Sequence, residues 1–156
     1  MNDINKIRNA YTEAMNALDS GYSHKVKDAI DDLIITFEQE YPERITNPAV
    51  AFLQLQVAAA SIRYHVFVQD VLSATNSFRM LCEECERLFE TDMLDDHYKQ
   101  KIRQLVDETE QVLNVFHENL EHIDNSLTGQ PSPYIKQYTP KEQFRSRQTN
   151  DTCLLC

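Results

Sequence analysis

Along the first 128 positions apolar residues recur in steps of three and four, the period at which side chains share one face of an α-helix. Ile4, Ile7, Tyr11, Ala14 and Leu18 form one such stripe, and Asn2 or Asp3 stands in front of it to cap the first free amides. A helix over roughly 3–19 follows. Gly21 suits the left-handed position that ends helices. Val26, Ile30, Leu33, Phe37 and Tyr41 then predict a second helix, capped by Ser23 and stopped by Pro42, which disfavours helix in the residue before it.

Asn47 followed by Pro48 reads as a cap with proline at the first helical position. From there the pattern runs to about Phe89, too long for an ordinary globular helix. Val50, Leu53, Val57, Ala60 and Tyr64 carry its first half; Val71, Phe78, Leu81, Cys85 and Leu88 or Phe89 carry the second. "LSATNS" at 72–77, weak in helix formers, is the expected break or kink, with a continuous rod as the alternative. Thr91 or Asp92 can start a last long helix to about Leu127. Its apolar positions (Tyr98, Ile102, Leu105, Thr109, Val112, Phe116, Leu120, Ile123, Leu127) approach a heptad seam. Such a seam packs along its length on partner helices, within the chain or in a homodimer. Gly129 and Pro131 end it.

These elements predict an all-α fold: an antiparallel bundle of four to five helices over residues 1–128, around one core, with a long C-terminal helix. Two glycines in 156 residues agree, because sheets need more turn residues. A tetratricopeptide-like stack of helical hairpins is the competing layout, but no repeat of about 34 residues supports it.

Residues 129–156 lose the helical period and hold three of the five prolines. They read as a disordered tail, a tether with a reach of roughly 25–30 Å for about 24 residues. Charge divides at the same boundary. Residues 1–128 carry 11 Lys/Arg against 23 Asp/Glu, a balance of −12. In the tail Lys136, Lys141, Arg145 and Arg147 face Glu142 and Asp151, a balance of +2. An acidic body repels phosphates, so no nucleic acid is expected as partner. The first residues lack the apolar run of a secretory signal, and "AVAFLQLQVAAASI" is too short and too broken by Gln54 and Gln56 to span a bilayer. A cytosolic protein with reduced thiols is the expectation.

The last four residues resemble a CaaX prenylation box: Cys153 fourth from the end, Leu154 and Leu155 as the aliphatic pair, Cys156 last. The resemblance implies a lipid on Cys153 and loss of the three recognition residues after it; the alternative is a plain unstructured end. One lipid binds membranes only marginally, and the tail cations could add roughly 1 kcal/mol each near an anionic leaflet.

"LCEECE" puts Cys82 and Cys85 on one helical face. Cys85 shares the stripe of Phe78, Leu81 and Leu88, which predicts core packing in preference to a zinc site completed by Cys153 and Cys156. "HENLEH" holds His117 with Glu121 and Glu118 with His122 at i, i+4 spacing. That spacing can hold a metal in a bundle, yet neither H-E-x-x-H nor Glu-x-x-His is complete, so solvated charge pairs are expected and no cofactor. With no phosphate loop and no nucleophile motif, an enzyme is not expected. The sequence therefore points to a small acidic protein-interaction module on the cytosolic face of a membrane, held by a prenylated Cys153 and recruiting a protein partner. A soluble adaptor or secretion chaperone binding an amphipathic client segment is the alternative.

Overall fold

A computed structural model describes residues 3–42, 45 and 47–128, with side chains described as far as Glu121. The tail, with Lys136, Lys141, Arg145, Arg147, Cys153, Leu154, Leu155 and Cys156, lies outside the described residues. The described residues form five α-helices: α1 (Ile4–Ser20), α2 (Ser23–Glu40), α3 (Pro48–Phe67), α4 (Val71–Phe89) and α5 (Asp96–Thr128). The expected all-α bundle is what forms.

Several boundaries follow the punctuation of the sequence. Asp3 accepts the Asn5 amide at the start of α1, and Gly21 ends that helix at φ 74°. Asn47 accepts the Ala49 amide 2.8 Å away, with Pro48 first in α3. Ser23 differs from expectation: Tyr22 is the capping residue of α2, and no side chain caps the helix.

The long run from Pro48 to Phe89 breaks at 68–70 and not within 72–77. Gln69 turns the chain through φ 62°, and Asp70 then caps α4 by accepting the Ser73 amide at 3.1 Å. "LSATNS" thus lies in the opening turns of α4, where weak helix formers cost least. Ala74 faces the core, and Asn76 accepts from Arg79 one turn on. The start of α5 also moves. Thr91 closes α4 by donating to the Leu88 carbonyl, while Asp95 caps α5 through the Tyr98 amide.

Packing departs from a single core. Short connections fold α2 back on α1 and α4 back on α3, while α5 packs on α3 and α4. The helix α3 is therefore the hub, with the hairpin α1–α2 packed on one side of it and α4 with α5 on the other. Two apolar cores result, on opposite faces of α3. Val50, Leu53, Val57 and Ala60 face Ile7, Val26, Ile30 and Leu33 of the first hairpin. Ala51, Leu55, Ala59 and Ile62 face Phe78, Leu81, Ile102 and Leu113 on the other side. This explains why α3 is apolar nearly all round: it is the shared wall.

Candidate functional site

A helix packed on two opposite faces keeps two narrow flanks. On one flank of α3 lie Ala51, Gln54, Ala58 and Ser61, at steps of three and four. They floor a trough of about 770 Å³ between α2 and α4, because those two helices pack mainly on other helices and little, if at all, on each other. Phe37 and Tyr41 stand on one wall, their rings 5.8 Å apart, and Leu88 and Met93 on the other. Small residues on the floor let another helix approach closely, and the walls supply apolar ridges.

The rim is mostly acidic. Glu38 lines one side and Glu84 the other. Arg87, the cation at this rim, is committed to Glu84 through two hydrogen bonds, and that bond and charge raise its pKa. Glu38 meets no cation among the described residues, leaving its charge open to an incoming positive group.

The opposite flank holds a second groove of about 650 Å³ between α3 and α5, with Val66, Val112, Val115 and Leu120 along it. At its far end Tyr11 of α1 approaches Arg63 and Glu108. Burial raises the Tyr11 pKa, with Arg63 opposing and Glu108 adding to the shift. Toward the start of α5 the seam closes where Lys101 lies over the rings of Phe52 and Tyr98, at 5.6 and 5.7 Å.

Of the residues singled out from the sequence, Cys82 and Cys85 are core residues, as expected. Burial, with the charges of Glu86, Glu110 and Glu83, pushes the Cys82 thiol up to about 12; burial also holds Cys85 well above the thiol range. Neither is a thiolate near neutral pH, so neither is poised as a nucleophile.

"HENLEH" divides in a way the spacing did not suggest. His117 is not part of a solvated pair: it is buried against α4, its Nε2 3.3 Å from the Thr75 hydroxyl. Glu118 is exposed, Glu121 is half-buried, and the His122 side chain lies outside the described residues. Burial lowers the His117 pKa, so the neutral ring is the stable form at pH 7. Among the described residues no three His, Cys, Asp or Glu side chains come together to hold a metal.

The heptad-like seam of α5 is also corrected. Leu113 is buried and Val112 is in the open groove, while Val106 and Glu110 join the buried face. The reason is geometric: α5 packs on α3 and α4 together, so its inner face is a broad stripe drifting at 3.6 residues per turn. Thr75 with His117, Cys82 with Glu110 and Phe89 with Arg103 mark this antiparallel contact at intervals of two turns.

The trough itself escaped the sequence reading. Its signal was present, as Ala51, Gln54, Ala58 and Ser61 in one row of an otherwise apolar helix. Among the described residues no helix is long and apolar enough to cross a membrane. Compared with known proteins, the chain matches no family model, no curated protein and no solved structure.

Proposed function

We propose that this protein is a non-enzymatic interaction module that seats an amphipathic helix of a partner protein in the trough between α2 and α4. The module is carried to the cytosolic face of a membrane by a prenyl group on Cys153. The observation that carries the docking role is the trough of about 770 Å³ over Ala58 and Ser61, floored by α3 and walled by α2 and α4, a shape that suits a helix. Glu38 on the rim and the −12 balance of residues 1–128 favour a partner helix with a basic polar face. The sequence Cys153-Leu154-Leu155-Cys156 supports the tether, and the tail cations Lys136, Lys141, Arg145 and Arg147 would add contacts to an anionic leaflet.

The tether is tested by the intact mass of the protein after incubation with a protein prenyltransferase and an isoprenoid diphosphate, beside Cys153→Ser. Gain of one isoprenoid on the native chain alone is expected. No gain with either a farnesyl or a geranylgeranyl donor removes the membrane from the function and leaves a soluble adaptor acting through the same trough.

A further inference from the structure

The groove between α3 and α5 is distinct from the trough, and its apolar positions are flanked by Arg63, Glu108 and Gln111. Val115 is 56% exposed in the middle of it, with Val66, Val112 and Leu120 half-buried beside it. We propose that the occupant of this groove is the chain's own tail, through Tyr134 and Tyr138. This places the C-terminal segment on the body and goes beyond the partner docking and lipidation proposed above.

Three observations select the tail over a second copy of the chain or a foreign segment. The first is reach. The tail leaves the end of α5, the helix that walls the groove, and Leu120 lies eight residues before Thr128, about 12 Å of helix. Six residues, from Thr128 to Tyr134, span up to about 20 Å when extended, enough to double back. The second is charge. A second copy would bring another −12 body, whereas the tail carries +2. Glu108 lines the groove beside Arg63, and Lys136 lies between Tyr134 and Tyr138.

The third is sequence. Pro131, Pro133 and Pro140 oppose helix across this segment, so its apolar side chains have no helical partner face of their own. In an extended segment Tyr134 and Tyr138 fall on the same side, as alternate residues do, and Ile135 on the other. Two rings one short span apart match a groove whose apolar positions Val112, Val115 and Leu120 run along about two turns of helix. Covalent attachment supplies an effective concentration on the order of millimolar, so even a weak intrinsic contact would fill the site.

The test compares methyl NMR spectra of the full chain with those of the full-length variant Tyr134→Ser/Tyr138→Ser, whose changes leave every body residue intact. The expected result is a set of shifts confined to Val66, Val112, Val115 and Leu120, independent of protein concentration. A peptide of residues 131–144 added to the variant should move the same methyls back toward their native positions. Superimposable spectra at those methyls would overturn the proposal. Shifts that grow with protein concentration would overturn it as well, and assign the groove to a second copy.

Discussion

Leu53 and Leu55 are two residues apart on α3 yet belong to different cores, which makes them a sharp probe of how the halves of the molecule hold together. Leu53 is 2% exposed against α1 and α2; Leu55 is 1% exposed against α4 and α5. Each truncation to alanine loses the transfer energy of the removed atoms and leaves a cavity, so each should cost about 3 kcal/mol, within a range of 2–5. The two cores should nevertheless melt together. Releasing the first hairpin alone would expose Val50, Leu53 and Val57 on the remaining helices, at about 1.5–3 kcal/mol apiece. The sum, roughly 5–9 kcal/mol, is comparable with the whole stability of a domain, so the half-melted state is suppressed. In urea, followed by helical circular dichroism and by tyrosine fluorescence, both variants should show one transition. Its midpoint should fall by about 1–2 M in each. A biphasic curve for Leu53→Ala, with a native-like second step, would refute α3 as the wall that couples the cores.

Three further outcomes follow from particular side chains. Cys82 and Cys85 should resist a thiol reagent in the native protein at pH 8 and react fully once it is denatured; rapid native labelling that Cys82→Ser or Cys85→Ser removes would contradict their burial. His117 has a folded pKa below its ordinary 6.5, so the unfolded chain takes up its proton first on acidification. The stability tied to it is full above that value and declines as pH falls from about 6.5 toward the folded pKa; comparing urea midpoints at pH 7 and 5.5, His117→Gln should lose less than the native protein. Gln69 holds a left-handed φ of 62° that glycine adopts freely, so Gln69→Gly should raise stability by up to about 1 kcal/mol in the same assay, and a loss would argue against that turn.

What the sequence disclosed depended on where a local signal and a tertiary demand agreed. Asp3, Gly21 and the Asn47–Pro48 pair act within one turn of backbone, and the helix ends they marked are where they belong. The turn at Gln69 carries no glycine or proline, and its one local signal, the capping Asp70, stands inside an unbroken helical pattern; it exists because α4 must fold back on α3. The stripe of α5 was forced toward a heptad, which passed over Leu113 and hid the fact that His117, four residues on, shares its face. The apolarity of α3 was visible as a long hydrophobic run. That it serves two cores is a property of the other four helices, and the trough exists only because α2 and α4 stand apart. No pattern within α3 alone encodes that separation.

The docking role of the trough is tested most directly by fluorescence anisotropy of a labelled 16-residue helical peptide, leucine on one face and lysine on the other, titrated with the full chain. Ala58→Arg and Gln111→Arg add the same charge, one on the trough floor and one in the groove across α3. Saturable one-to-one binding is predicted, weakened about tenfold or more by Ala58→Arg, a loss of roughly 1.4 kcal/mol, and nearly unchanged by Gln111→Arg. Equal effects of the two substitutions, or none from Ala58→Arg, would show that the peptide follows the overall charge of the body and not the space between α2 and α4.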